Sequence, residues 1–422
     1  MLGLLQETIE IWQQSPATPP AFEVAYTEDQ QADREKALLQ FLECLRAEVR
    51  RLPRTRPERA AAHGRITTAF ERFATSGLEL QGTDIDLLLR QGFAAIGTAL
   101  ARQARRFDPA VTTTDILQAS RNAWTACALQ MLLGWEMGLT PAIFAYSMLY
   151  PYTDNYLDDP AITREAKLGF SGRFGRRLAG ETVAPANRRE EAIWRLVGMI
   201  EGQYPRVEYP HVFESLAAIH QAQADSLRLL RRTPLAADVD VLRLSFAKGG
   251  SSVLADAYLA AGALNPAEAQ FAFAWGVALQ LADDLQDVQE DSRAGVLTLF
   301  SLAAAREPLD ALTSRTMQFA RTVTQRMPRL PGPRFEALED LIRKSSSSLL
   351  IRAAGEAAGL YTAGYLSSLE THSPFRFASL NRQRLDMAQR GASLTRLFEA
   401  FLAGDEDEPA FPLLPGSLMP GV

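Results

Sequence analysis

The feature that most restricts the fold of this 422-residue chain is a helical periodicity of apolar residues along almost its whole length. Asn-Gly and Asp-Gly, the strongest short hairpin signals, do not occur, and alternating β-branched runs are scarce. Helix-period segments rich in Ala, Leu, Arg, Glu and Gln span residues 34–52, 66–76, 84–107, 114–137, 190–202, 212–231, 238–262, 266–290, 309–326, 334–358 and 380–402. The sequence therefore predicts an all-α protein.

Composition excludes several classes of protein. Hydrophobic residues make up 47% of the chain, too many for an intrinsically disordered protein. Acidic residues outnumber basic residues by 50 to 44, and the net charge of -6 argues against a protein that coats nucleic acid by neutralising phosphates. Cys44 and Cys127 form no CxxC pair, so we expect neither a thiolate zinc site nor a disulfide framework.

The N-terminus and the most apolar stretch both favour a cytoplasmic protein. The start, MLGLLQETIEIWQQ, has acids and glutamines where a signal peptide needs a basic region followed by an apolar run. The apolar stretch 126–149 is interrupted by Gln130 and Glu136 and falls short of a membrane span. We expect no transmembrane segment, while peripheral membrane contact and the oligomeric state stay open.

The segment ALQLADDLQDVQED, residues 278–291, is the stronger of two acidic segments. Asp283, Asp287 and Asp291 follow at intervals of four, so a helix places them on one face, with Asp284 and Glu290 beside it. Carboxylates stacked in this way repel one another, and burial in an apolar helix increases the cost. A bound divalent cation removes that cost, and a set of oxygen ligands suits Mg²⁺. The alternatives are a solvated acidic face and a structural or Ca²⁺-type site.

The second acidic segment is YPYTDNYLDDP, residues 150–160, at the end of the apolar helix predicted from Trp124 to Tyr150. Asp154 and Asp158 again stand four apart, with Asp159 adjacent. Taken alone, the Asp-Asp-Pro sequence is typical of a helix end and turn. Beside the first acidic segment, it indicates a second wall of a metal site.

Basic and aromatic residues complete the predicted site. Arg173, Arg176, Arg177 and Lys248 lie near the acidic segments in sequence, where ion pairs are their default role and contacts to a diphosphate are the functional alternative. Eight aromatic residues are candidates to line a cavity and stabilise positive charge, although most belong to an ordinary core: Trp124, Trp135, Phe144, Tyr146, Tyr258, Phe271, Phe273 and Trp275.

These motifs resemble those of the class I isoprenoid synthases. LQLADDLQDVQED is similar to the FQxxDDxxD motif of trans-prenyl diphosphate synthases and to the LQxxNxxRDxxED motif of squalene and phytoene synthases. DNYLDD resembles the DxxxDD motif of squalene synthases and the acidic motif of the bacterial large-terpene synthases. The overall likeness is greatest to the large-terpene synthases. Chain elongation is disfavoured, because DNYLDD followed by Pro160 lacks the DDxxD and Arg-Arg-Gly arrangement of the elongating enzymes.

The resemblance covers residues 110 to 300 and extends toward 370. It implies an isoprenoid synthase-type helical bundle around a central cavity, several Mg²⁺ ions and an allylic prenyl diphosphate substrate. The implied metal ligands are Asp154, Asp158, Asp159, Asp283, Asp284, Asp287 and Asp291, of which Asp154, Asp158, Asp283 and Asp287 are the catalytic candidates. The implied diphosphate contacts are Arg173, Arg176, Arg177, Lys248 and Gln280. We expect a helical extension over 1–110, a catalytic domain over 111–390, and a helix end with a loose tail over 391–422.

Three functions are compatible with these residues. The first is a terpene synthase that ionises a prenyl diphosphate and directs the resulting carbocation. The second is a prenyltransferase that condenses two prenyl diphosphates, either head-to-head or by chain elongation. The third is a non-catalytic helical binding protein, which the intact Asp283, Asp287 and Asp291 triad disfavours. Substrate length and product skeleton depend on cavity shape and stay open.

Overall fold

A computed structural model describes residues 1–89, 92–159, 161–226, 240–405, 407–408 and 411, apart from the side chains of Asp158, Ala388 and Arg390. These residues form eighteen α-helices and one short 3-10 helix, so the predicted all-α class is confirmed. Within the described parts of the chain, no helix combines the length and the apolar character needed to cross a bilayer. The chain forms two compact units, and each contains two segments that are distant in sequence.

Unit 1 consists of Met1–Pro20 and Leu117–Leu330. Its helices are α1 (Leu2–Gln14), α6 (Thr113–Leu132, which begins just before the unit), α7 (Pro141–Asp158), α8 (Arg164–Leu178), α9 (Arg188–Gln203), α10 (Pro210–Ser226), α11 (Val241–Ala261), α12 (Pro266–Gln286), α13 (Val288–Ala294), α14 (Leu299–Ala304) and α15 (Asp310–Thr324).

Helix α11 lies at the centre of unit 1, where it packs against α12, α10, α7 and α1. The α11 and α12 backbones approach so closely that a Cβ atom added to Gly276 would lie 2.2 Å from the carbonyl oxygen of Gly249. The N-terminal helix belongs to this core, since the Trp12 ring meets Phe246 of α11 and Phe319 of α15 edge-on at 5.9 and 5.7 Å. Aromatic contacts of this kind add about 0.5–1.5 kcal/mol to the burial energy.

Unit 2 consists of Ala21–Ile116 and Pro331–Val422. Its helices are α2 (Glu28–Arg51), α3 (Arg56–Leu78), α4 (Gly82–Leu89), α5 (Phe93–Phe107), α16 (Pro333–Glu356), the 3-10 helix Ala358–Leu360, α17 (Ala363–Glu370) and α18 (Phe377–Leu402). Helices α2 and α3 pair along their lengths, and the stacked rings of Phe41 and Phe73, 5.6 Å apart, lie between them.

The unit boundaries differ from the predicted domain boundaries at 110 and 390. Most of the predicted extension joins the C-terminal helices in unit 2, whereas α1 packs in unit 1. Glu408, which lies within the predicted loose tail, is 5% exposed and accepts two hydrogen bonds from the Arg59 guanidinium, at 2.6 and 2.9 Å. Residues 412–422 lie outside the described residues.

Candidate active site

The stronger acidic segment lies at the end of α12, and the structure divides it between two helices. Helix α12 ends at Gln286, and Asp287 is the residue that joins it to α13. The helical hydrogen bonding nevertheless continues, since Asp287 N donates to Asp283 O and Asp291 N donates to Asp287 O, each at 2.9 Å. The three carboxylates therefore keep their helical spacing across the junction.

The carboxylates of this segment also interact electrostatically. The pKa of Asp291 is raised to about 6, first by burial and then by the negative charges of Asp287, Asp283 and Glu290. Lys248 on α11 acts in the opposite direction and lowers it. A carboxyl group with such a raised pKa gains from any cation that binds beside it, because the cation favours the ionised form.

Asp284 faces the protein interior rather than the exposed face that carries Asp283 and Asp287. Its side chain is 5% exposed, and Oδ1 accepts a hydrogen bond of 2.8 Å from Gln280 Nε2. Burial is the main cause of a pKa raised to about 7, which Gln280 and Lys248 partly oppose. Oδ2 is buried without a hydrogen-bond partner among the described residues. Orphaned polar atoms of this kind are rare and costly, so the site has an unmet requirement for a donor or a cation.

The close contact of α11 and α12 brings Lys248 and Gln280 to this segment. Gly249, next to Lys248, has no room for a side chain, because an added Cβ would lie 2.4 Å from Gln280 Cβ. The helices can therefore approach only with glycine here, and the ammonium of Lys248 acts electrostatically on both Asp284 and Asp291.

The other acidic segment lies at the end of α7. Asp154 is partly buried, and its Oδ1 accepts a hydrogen bond of 3.1 Å from Gln223 Nε2 on α10. Asp159 is the C-cap residue of α7, and its Oδ1 accepts a hydrogen bond of 2.8 Å from Ala161 N, as in an ordinary helix end. Asp158 has a described backbone only, so its predicted role lies outside the described side chains.

Both acidic segments belong to unit 1, and α11 packs against the helices that carry them, α7 and α12. A small cavity between α7, α8 and α10 is lined partly by Tyr146, Thr153, His220 and Gln223. Its volume is about 30 Å³. Of the eight aromatic residues predicted as candidates, Tyr146 lines this cavity.

The remaining predicted aromatic residues divide into core and surface. Trp135 is 57% exposed, and Tyr258 is partly buried. The other five are buried in the core: Trp124, Phe144, Phe271, Phe273 and Trp275. A second and larger cavity of about 710 Å³ lies between α2 and α3 of unit 2, and none of the described residues that line it is a carboxylate. It therefore lacks the groups that a metal-bound diphosphate needs.

The three arginines predicted to contact diphosphate all pair with glutamates. Arg173 donates two hydrogen bonds to Glu190, which is 1% exposed. Burial opposes ionisation of Glu190, but the hydrogen bonds from Arg173 and from Ala186 N outweigh it and lower its pKa. Two further ion pairs join Arg176 to Glu181 and Arg177 to Glu201. The ion-pair role is therefore observed for each arginine, and diphosphate binding stays a prediction.

Two polar residues with notable contacts in unit 1 were not predicted as site residues from the sequence. One is Gln223, which no motif marks. The other is Asp256 on α11, which is 1% exposed and accepts a hydrogen bond of 2.9 Å from Asn122 Nδ2. Burial raises the pKa of Asp256 well above its usual value, and Oδ2 has no partner among the described residues. A lone acid in the apolar run SSVLADAYLAAG was the only available signal.

The carboxylate oxygens of the site suit a Mg²⁺ ion that is also bound to a diphosphate, rather than a metal ion whose ligands all come from the protein. Among the described side chains, no three His, Cys, Asp or Glu residues converge tightly enough to enclose an ion. Mg²⁺ bound to a diphosphate needs fewer protein ligands, because one or two carboxylates, waters and phosphate oxygens complete its coordination shell. The all-carboxylate donors and the orphaned Asp284 oxygen fit that arrangement.

Neither protein-family models nor curated proteins match the chain. Among solved structures, the chain is similar to the polyprenyl synthase of Caulobacter crescentus CB15, crystallised with calcium and isoprenyl diphosphate. The identity is 16%, the similarity covers 82% of this chain and 97% of that chain, and the TM-score is 0.30.

Proposed function

We propose that the protein is a Mg²⁺-dependent class I terpene synthase that ionises an allylic prenyl diphosphate and directs the carbocation to a terpene. The observation that carries the proposal is the coupled carboxylate cluster of α12 and α13. Burial and mutual repulsion raise the pKa values of Asp284 and Asp291 to about 7 and about 6, beside Lys248. Such perturbed groups cluster at functional sites, where a ligand resolves the strain.

Each group has a distinct task in this proposal. Asp283, Asp287 and Asp291 bind the metal ions from one wall, with buried Asp284 supporting them, and Asp154, Asp158 and Asp159 bind from the other. Lys248 and Gln280 hold the diphosphate at the α11 and α12 contact, with Arg173, Arg176 and Arg177 as further contacts. When bound, Mg²⁺ neutralises the charge that develops on the departing diphosphate. The apolar helices around the site keep water from the carbocation.

The decisive experiment incubates the protein with geranyl, farnesyl, geranylgeranyl and longer prenyl diphosphates plus Mg²⁺, and measures released diphosphate. We expect release from at least one substrate. The variant Asp287→Asn removes one charge while keeping the side-chain shape, and we expect release to fall by on the order of 100-fold. Glu307→Gln is the matched control, because this exposed glutamate lies in the same unit but outside both acidic segments. Absence of release from every substrate refutes the proposal.

Paired substrates separate the two enzymatic alternatives. A terpene synthase forms its product from a single prenyl diphosphate, whereas a prenyltransferase needs two and yields a longer chain. Adding isopentenyl diphosphate or a second allylic substrate therefore leaves the product unchanged if the protein is a terpene synthase. A product whose carbon number is the sum of both substrates overturns that assignment in favour of condensation.

A further inference from the structure

Helix α10 carries no predicted site residue, yet it donates a hydrogen bond to Asp154 of the second acidic segment, residues 150–160. Gln223 Nε2 lies 3.1 Å from Asp154 Oδ1, across 69 residues of sequence. Both residues are partly buried, and Gln223 lines the small cavity together with Thr153 of α7. The Thr153 hydroxyl lies 3.4 Å from the same Asp154 oxygen, but its shorter bond of 2.8 Å goes to Leu149 O. Gln223 is therefore the closer of these two donors to Asp154 Oδ1.

The chemistry of an amide donor suits a carboxylate that must bind a cation. An arginine or lysine at this position would fix the carboxylate equally well, but its positive charge would repel the metal. A glutamine donates through N–H without any net charge, so the carboxylate keeps its full attraction for a cation. Carboxylates that ligate metals are commonly held by hydrogen bonds of this kind, and loss of such a partner typically weakens metal binding.

We propose that Gln223 is a positioning residue, which orients the Asp154 carboxylate for the metal ions of the bound diphosphate. This inference rests on the proposed function. It assigns α10 a role in the site that the acidic motifs alone do not reveal, and it extends the metal-binding wall beyond α7. The alternative is a purely structural bond that ties α7 to α10.

Two substitutions separate these roles. Gln223→Leu removes the donor, and Gln223→Lys keeps a donor but adds a positive charge beside Asp154. Gln221→Leu is the matched control, since this exposed glutamine lies on the same helix two residues away. Isothermal calorimetry measures Mg²⁺ binding in the presence of inorganic pyrophosphate, and the melting temperature is measured without metal.

We expect Mg²⁺ affinity to fall by about 10- to 100-fold in Gln223→Leu. In Gln223→Lys it falls at least as far, although the hydrogen bond and the metal-free melting temperature are retained. Gln221→Leu binds as the unmodified protein does. The inference is overturned if Mg²⁺ affinity is unchanged in both Gln223 variants. It is also overturned if Gln223→Leu lowers the melting temperature while Gln223→Lys binds Mg²⁺ normally. Either result shows that the hydrogen bond is structural, and neither result contradicts the proposed function. If the unmodified protein binds no Mg²⁺ with pyrophosphate, the proposed function fails as well.

Discussion

The buried acid Asp256 gives a prediction that can be worked out from the structure. Its carboxyl group is 1% exposed, and its pKa is raised well above the usual 3.8 by burial, with the Asn122 hydrogen bond opposing the shift only in part. In the unfolded chain, the same group ionises near its ordinary pKa. Between these two pKa values the folded protein binds one proton more than the unfolded chain, so stability decreases as the pH rises.

The magnitude follows from linkage. Each pH unit above the ordinary pKa lowers the free energy of unfolding by about 1.4 kcal/mol, until the pH passes the folded-state pKa. Asp256→Asn removes this proton-linked loss, because the amide does not ionise. Its Oδ1 still accepts the hydrogen bond from Asn122, which limits the structural disturbance. The variant should therefore gain stability relative to the unmodified protein as the pH increases.

Urea unfolding of both proteins at several pH values from about 4 to about 7 tests this expectation. The difference in unfolding free energy should be smallest at the acidic end and should grow steadily with pH. Asp33→Asn is the control, because this carboxylate is exposed on α2 and has no comparable burial. Parallel stability curves for Asp256→Asn and the unmodified protein would show that Asp256 titrates normally, and the reasoning would be wrong.

Two further predictions concern packing and charge in unit 1. Gly276→Ala places a Cβ atom 2.2 Å from Gly249 O, so we expect a loss of about 1–3 kcal/mol in urea unfolding. Gly198→Ala in α9 is the control, because its added Cβ would meet nothing within 4 Å, and its free energy of unfolding should rise by up to about 1 kcal/mol. Equal effects of the two glycine substitutions would exclude a steric cause. Arg173→Met leaves Glu190 buried without its guanidinium partner, and because Arg173 itself is one-third exposed we expect a loss of about 1–3 kcal/mol. An unchanged melting temperature would show that this ion pair is not structural.

The sequence predicted the class of fold because helical periodicity is a local property. Segments such as 334–358 and 190–202 correspond to α16 (Pro333–Glu356) and α9 (Arg188–Gln203) within a few residues. The predicted helix 84–107 instead divides into α4 and α5, with Gly92 as the N-cap of α5. A Cβ atom at Gly92 would lie 1.7 Å from Leu87 O, so the local backbone leaves room only for glycine at this position, and hydrophobic periodicity does not report such a requirement.

The sequence did not predict where the helices around the site end or which side chains from distant helices meet. The predicted helix 266–290 ends at Gln286, although the spacing of Asp283, Asp287 and Asp291 survives in the hydrogen bonds. The predicted helix from Trp124 to Tyr150 is interrupted between α6 and α7, where Gly134 adopts a positive φ of 83°. The contact of Gln223 with Asp154 joins helices far apart in sequence, and no local pattern encodes it.

The discontinuity of the two units affects how the chain can be made and divided. Unit 1 needs its first twenty residues together with Leu117–Leu330, and unit 2 needs Ala21–Ile116 together with residues that follow Pro331. During synthesis, α1 therefore cannot pack until its partner helices α11 and α12 are made, more than two hundred residues later. Closing such long loops before native contacts form costs entropy and slows folding. A contiguous fragment such as 111–390 would contain only part of each unit. To express unit 1 alone, its two sequence segments must be joined in one chain.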